Sequence, residues 1–572
     1  MKASMRLSFL PPDDRCGPNL AIWLFAMGAV LFGSTLIPST ARAQAVVLED
    51  VTIIDGKGGP PNRHANLIVD GQTIKAITDD HAALPPGAQV INLSGKTIMP
   101  EIINAHGHLG LLKGTKMSAD NYTESNVDRQ LRQYQDYGVG AVSVLGTDSD
   151  QAYEWRAESH AGRKPGALLY TAGRGFGVPQ GLPPISAGMT AVYRPLTENE
   201  ARKNVQELAT HRPDFVKIWV DDFHGEYPKM SPKISAAIID EAHRQHLRVA
   251  AHVYHEEDAQ YLVALGVDVL AHSVRDATIP DALIAEMKRK HVTYIGTLCL
   301  DDFAVAYEGN PSWIASSFFR NALEPGVYEL IRSPEYKQSV RENRSTAAER
   351  AALPIALKNF KRVYDAGVLV ALGTDSGAGM IRPYGFAEHF ELQLLVQAGL
   401  TPLQAITVAT RDGAQLLRAS SEFGTLGPGM KANFIVLDKD PSVDIQNTES
   451  ISAVWKDGKK VSDGPSVGDS WVRSSKVSVI ASIRALPGYE KQITRATEEL
   501  GVSTRLEPGN ERFVVNLRKD DPSVIVVIEV FRDQPSFDAH LRASHTQAFM
   551  TSLHGRVEGD KPTLVRLSEM SD

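Results

Sequence analysis

Two histidines one residue apart, His106 and His108, close an apolar run that begins at Ile102. In an extended segment the side chains at i and i+2 share a face, so both imidazoles can meet one divalent ion. Four more residues of ligand type end or follow other apolar runs: Lys217 in Phe215-Val216-Lys217-Ile218-Trp219, His252, His272, and Asp375 in Leu372-Gly373-Thr374-Asp375-Ser376. Imidazole and carboxylate together suit zinc, with manganese, cobalt and iron as alternatives. The lysine is the unusual member, because an ammonium is repelled by a cation and burial drives it only to the neutral amine. A neutral amine can add carbon dioxide, and the resulting carbamate is an anionic ligand with two oxygens that can bridge two ions. On this reading His106, His108 and Asp375 hold one ion, His252 and His272 hold the other, and carboxylated Lys217 joins them. A lysine stem lying along apolar surface is the plainer alternative.

Two ions about 3.5–4 Å apart can share a hydroxide made from water and polarise a carbonyl at the same time. Asp375 is then placed to take the hydroxide's proton and deliver it to a leaving amine. Tyr254, two residues after His252, can donate to the developing oxyanion, although a packing role suits a tyrosine equally. The expected reaction is hydrolysis, on a small-molecule amide or peptide-like substrate.

These residues need a scaffold that brings several strand ends to one rim. Eight apolar runs alternate with helical stretches: 97–105, 140–145, 166–171, 214–220, 247–251, 267–271, 292–297 and 368–373. Several are continuously apolar, as strands covered on both faces are. Ser231-Pro232 opens one intervening helix and Gly266 stops the next, by N-cap, first-turn proline and C-terminal glycine. Eight strand-helix repeats predict an α/β protein built on a closed parallel (β/α)8 TIM barrel, with an open doubly wound sheet as the alternative. In such a barrel, the C-terminal strand ends carry the chemistry. Long interruptions at 109–137 and about 298–360, and a Gly/Pro-rich stretch at 173–195, are expected to wall the site. Arg174, Arg275 and Arg382 lie just beyond strands three, six and eight, where a guanidinium can clamp a carboxylate. Surface pairing is the commoner use of such residues, and they stay outside the predicted site.

Short strands before the barrel, with Asp-Gly turns, and others between 423 and 458 are expected to pair into one small β domain. The predicted order is therefore a signal peptide at 1–43, a composite β-sandwich domain from 44–98 and 421–460, and the barrel at 99–420. A Gly/Ser/Asp/Pro linker at 461–472 leads to an α+β ferredoxin-like domain at 473–572.

Leu20 to Ile37 is an apolar run preceded by Lys2, Arg6 and Arg15 and followed by Ala41-Arg42-Ala43, the pattern of a cleaved secretory leader. The run is almost long enough to span a bilayer, so a retained anchor is the alternative. Cleavage after Ala43 predicts a periplasmic or secreted protein, with no membrane association afterwards. Cys16 lies in the leader, which leaves Cys299 as the single cysteine and no internal disulfide. A formal net charge of -8 over 572 residues disfavours nucleic acid and anionic membrane surfaces as partners.

Residues 45 to about 458 resemble the amidohydrolase superfamily, in the branch with imidazolonepropionases and metal-dependent dipeptidases. The points of match are Ile98-Met99-Pro100 leading to His106-Gly107-His108, the lysine strand 214–220, Ala250-Ala251-His252, Leu270-Ala271-His272, Gly373-Thr374-Asp375, Thr401-Pro402, and 424–433. The resemblance implies a divalent metal site with the roles given above. Within it, lysine at 217 favours the dipeptidases and ochratoxin-type amidases with a lysine-bridged pair, whose tyrosine at the position of Tyr254 polarises the scissile carbonyl. Two departures stand out: Glu101-Ile102-Ile103-Asn104 replaces the usual Gly-Leu-Ile-Asp, and Asn433 replaces an Asp. The C-terminal segment resembles antibiotic-biosynthesis-monooxygenase domains through Glu529-Val530-Phe531, Phe537, His540, Ser544-His545 and Phe549. That resemblance implies a dimerisation or shielding role and hence a homo-oligomer, with cofactor-independent monooxygenase activity as an alternative. A cyclic amide, lactone or ester is the alternative substrate class for the barrel.

Overall fold

The computed structural model describes residues 44–79, 81–465, 477–507, 509–532 and 534–567. The leader expected at 1–43, and most of the expected linker, lie outside these residues. No helix among the described residues is long and apolar enough to cross a membrane.

Eight parallel strands form the central layer: β1 (Ile102–Gly107), β2 (Val139–Val144), β3 (Leu168–Thr171), β4 (Val216–Trp219), β5 (Val249–His252), β6 (Val269–Ala271), β7 (Thr293–Ile295) and β8 (Val370–Ala371). They run as one arc of three, β1 to β3, and one of five, β4 to β8. Backbone hydrogen bonds cross both seams: the Asp214 N–H donates to Thr171 C=O at 2.9 Å, and the Ala105 N–H to Leu372 C=O at 2.8 Å. Almost every strand residue is buried, which explains the unbroken apolar runs. Helices between the strands start where hydroxyls cap them. Thr123, Thr197 and Ser231 accept from the N–H groups of Asn126, Glu200 and Ile234, and Gly266 ends the helix Glu256–Leu265 in a left-handed conformation.

The run expected as one strand from Thr97 to Ala105 is two. Thr97–Pro100 pairs antiparallel with Phe434–Leu437 and parallel with Thr52 and Ile53, whereas β1 pairs with β2. Pro100 has no N–H with which to continue the ladder, and the chain changes sheet there. The flanking sheet takes strands from both sides of the barrel in sequence, in the order Lys459–Ser462, Ile451–Lys456, Phe434–Leu437, Thr97–Pro100, Val46–Ile53, Asn62–Asp70 and Thr73–Asp79, with Gln89–Asn92 also on Val46–Ile53. Its core joins Leu48, Val51, Leu67, Ile98, Phe434 and Trp455.

The interruption after β7 is mostly helical, with Leu298–Ala306, Val327–Arg332, Pro334–Glu342 and Thr346–Asp365. Aromatic residues Phe303, Tyr307, Trp313, Phe319 and Phe386 pack among these helices, so the segment has its own apolar core. The C-terminal unit is an antiparallel sheet, Asn510–Leu517, Val524–Phe531, Val477–Arg484, Thr563–Leu567, with helices Glu490–Thr504, Gln534–Arg542 and Ser544–Ser552. This is the ferredoxin-like strand order. The last two helices are separated at Ala543, whose backbone is extended.

Candidate metal and active site

The strand ends deliver the predicted residues to one mouth of the barrel. Nε2 of His108 lies 2.9 Å, and Nε2 of His106 3.3 Å, from the same Asp375 oxygen, Oδ1. Nζ of Lys217 lies 3.4 Å from His106 Nε2 and is fully buried. The ring of His272 is 4.6 Å from that of His106 and 4.2 Å from that of His252. Donor atoms therefore converge tightly in the set His106, His108 and Asp375. His252 and His272 stand beside it, and Nε2 of His252 is bonded to Asp221 Oδ2 at 2.9 Å.

Local backbone helps. His272, Thr297 and Asp375 adopt φ of 77°, 46° and 56°, a left-handed region costly for residues with a Cβ and concentrated at functional sites. Two of the remaining ring nitrogens are fixed by neighbours: His108 Nδ1 meets Thr147 Oγ1 at 2.8 Å and His272 Nδ1 meets Thr297 Oγ1 at 2.7 Å. Such partners set tautomer and ring orientation in metal sites.

The electrostatics suit ligands. Burial holds the imidazoles of His106, His252 and His272 below the usual range, with nearby positive charge adding to it. Burial also depresses the Lys217 ammonium to about 7, against the pull of Asp375. For Asp375 burial works toward protonation, but the Arg382 guanidinium and His108 outweigh it and keep the group ionised. Neutral imidazoles, an anionic carboxylate and an amine near neutrality are the protonation states a divalent metal needs, so the residues present fit such an ion.

Asp375 Oδ2 is paired with Arg382. Arg275 pairs with Asp301 at 2.8 Å and Arg174 with Asp150, so all three arginines considered as carboxylate clamps have acidic partners. Tyr254 is buried beneath the Arg275 guanidinium, 4.5 Å from its ring centre. Burial raises its hydroxyl to about 12, which keeps it a proton donor. Above these groups opens a cavity of about 450 Å³, lined by His108, His252, Tyr254, Arg275, Asp375 and Arg382 among others.

Thr147, Asp221, Thr297 and Arg382 were not predicted as site members. Three of them follow β2, β4 and β7 by two or three residues, so their position at strand ends was a usable signal. Arg382 sits seven residues after Asp375 on a loop, and only folding brings the two together.

The sequence pattern of the amidohydrolase family matches residues 97–461, and that of antibiotic biosynthesis monooxygenases matches 476–552. Ochratoxinase of Aspergillus niger is 28% identical over 253 residues, 43% of this chain and 44% of that protein. The chain thus spans less than half the length of that relative. Imidazolonepropionase of Klebsiella pneumoniae is 22% identical over 413 residues, 69% of this chain and 90% of that protein. Among solved structures, a Xaa-Pro dipeptidase with bound methionine superposes with TM-score 0.59 at 20% identity, covering 73% of this chain and all of that one (100%). Aspergillus niger ochratoxinase superposes with TM-score 0.57 at 21% identity, over 75% of this chain and 97% of that one. The structural likenesses establish the shared barrel fold, and the pattern match over most of the chain establishes descent: this protein belongs to the amidohydrolase family.

Proposed function

We propose that the barrel is a metal-dependent hydrolase that cleaves a C–N bond of amide or peptide type in a small molecule. The observation that carries this reading is the meeting of His106, His108 and Asp375 beside a buried Lys217, with His108 and Asp375 lining the cavity. In this reading His106, His108, His252, His272 and Asp375 hold two divalent ions, zinc by ligand chemistry, joined by carboxylated Lys217. When bound, the ions supply water acidified to near neutrality and a Lewis acid for the carbonyl.

The chain's own groups do the rest. Asp375 is kept ionised by Arg382 and His108, so it can accept the proton of the attacking water and pass it to the departing nitrogen. Tyr254 keeps its proton and donates to the oxygen on which charge develops. The cavity walls exclude bulk water and orient the amide. Ochratoxinase and the Xaa-Pro dipeptidase support an amide or dipeptide-like substrate, with a cyclic amide, lactone or ester as the second class. With the leader cleaved, this activity belongs to the periplasm or the space outside the cell, and the C-terminal unit serves pairing of chains.

The test is elemental analysis of protein purified without chelators, wild type beside Lys217→Ala, with hydrolysis of N-acyl amino acids and dipeptides followed in parallel. Lys217→Ala is expected to lose at least one zinc-like ion relative to wild type, together with hydrolysis. Equal metal content in both would remove the lysine-bridged pair and turn the search to cyclic C–N substrates.

A further inference from the structure

A second convergence of donors lies in the C-terminal unit. Glu507 follows the helix Glu490–Thr504, His540 is on Gln534–Arg542, and His545 is on Ser544–Ser552. Nδ1 of His540 stands 2.9 and 3.1 Å from the two Glu507 oxygens, and Nε2 of His545 stands 2.5 Å from Glu507 Oε1. One donor atom from each residue lies within 4.8 Å of the others. The other nitrogen of His540 faces a second carboxylate, Glu529 Oε2 at 3.7 Å. Phe531 and Phe537 pack against the His540 ring, with centroids 4.9 and 6.3 Å away.

This arrangement exceeds what packing needs. Two imidazoles address one carboxylate oxygen, while a second carboxylate waits on the far side of the buried ring. A neutral His540 has one proton and can serve only one of the two. With Nδ1 on a cation the remaining proton is fixed at Nε2, facing Glu529, which is the carboxylate–histidine–metal order of metal sites. The apolar rings around His540 lower the local dielectric and strengthen any charge pairing there.

We propose that Glu507, His540 and His545 form a zinc-binding site, with Glu529 orienting His540. Two imidazoles and a carboxylate are a common zinc ligand set, and bonds of roughly 2.0–2.2 Å place ligand atoms a little over 3 Å apart. The two imidazole nitrogens, 2.9 and 2.5 Å from Glu507 Oε1, need to draw back from it by less than about 1 Å to reach that spacing. His545 is the most exposed member, with 31% of its side chain accessible, so its rotation admits the ion. Three protein ligands leave a fourth position for water or an exogenous ligand. The site shares no residue with the barrel site, and the proposal does not depend on the function assigned there.

The test is titration of metal-stripped full-length protein with zinc, and with cobalt as a visible-absorbing probe, in wild type, His545→Ala and Glu507→Gln. Wild type is expected to bind one equivalent more than either variant. Glu529→Gln is expected to bind that equivalent about 10- to 100-fold more weakly. His540 is deeply buried, so the comparison uses the more accessible His545 and Glu507, with thermal midpoints measured in chelator to confirm folding. Equal stoichiometry and affinity in wild type and both variants would overturn the proposal and leave Glu507 as a carboxylate shared by two histidines through protons.

Discussion

The side-chain amide of Asn104 donates to the Glu388 carboxylate at 2.7 Å, in full burial, and this contact ties β1 to the helix Phe386–Gln397. The same Glu388 oxygen accepts from Thr374 at 2.6 Å and Ser376 at 2.8 Å, which flank Asp375, while Asn104 Oδ1 accepts the His106 N–H at 3.0 Å. Candidate ligand residues from the first and last strands of the barrel are therefore anchored to one carboxylate beneath them. It also accounts for a departure from the family pattern, because an aspartate at 104 would face Glu388 with like charge.

Asn104→Asp is expected to lower stability by about 3 kcal/mol, the cost of an uncompensated buried charge, visible as a reduced thermal midpoint. The double variant Asn104→Asp/Glu388→Gln restores a donor-acceptor pair and should recover most of the loss. Failure of the double variant to recover would show that the anchor does more than pair two side chains.

Asp375→Asn is expected to reduce hydrolysis by about 10²- to 10⁴-fold, the usual contribution of a positioned proton acceptor. Arg382→Gln should act differently. It removes the cation that keeps Asp375 ionised, so the carboxyl pKa rises and the acidic limb of the pH profile of kcat/KM moves to higher pH. An unmoved limb would detach that titration from Asp375.

Gly146, two residues after β2, has φ of 91°, and a Cβ there would lie 2.6 Å from Lys217 Cγ and 2.8 Å from Trp219. Gly146→Ala should therefore displace Lys217, reduce metal content as Lys217→Ala does, and cost upward of about 1 kcal/mol of stability through overpacking. Elemental analysis and a denaturant melt check both.

Burial raises the Glu101 carboxyl from its ordinary 4.5 to about 8, with Lys456 and a hydrogen bond from Asn433 pulling the other way. Between those pH values the unfolded carboxyl is ionised while the folded one keeps its proton, so stability falls as pH rises, by up to about 1.4 kcal/mol per unit. Glu101→Gln should flatten that slope in thermal melts between pH 5 and 8. An unchanged slope would place the titration elsewhere.

Much of this was legible in the chain. Unbroken apolar runs marked strands buried on both faces, and residues of ligand type at their ends marked the mouth of the barrel, because strand direction alone decides which end carries chemistry. What escaped was set by contacts between distant segments. Pro100 looks apolar within a continuous run, and only its pairing with Phe434 shows that the run changes sheet. Arg382 reads as a surface charge until the loop folds it onto Asp375. Glu101 and Asn433 appeared as two separate departures, yet they touch.

The flanking sheet has a kinetic meaning. Thr97–Pro100 lies between Val46–Ile53 and Phe434–Leu437, so while the strands before it pair among themselves, its second partner is made more than three hundred residues later. A chain paused before residue 434 leaves Thr97–Pro100 as an open sheet edge, and unpaired edges can template aggregation. High sequence separation also slows closure of such contacts. The flanking sheet should therefore close only after Phe434–Leu437 has emerged, and the protein should depend during that interval on whatever shields the unpaired strand.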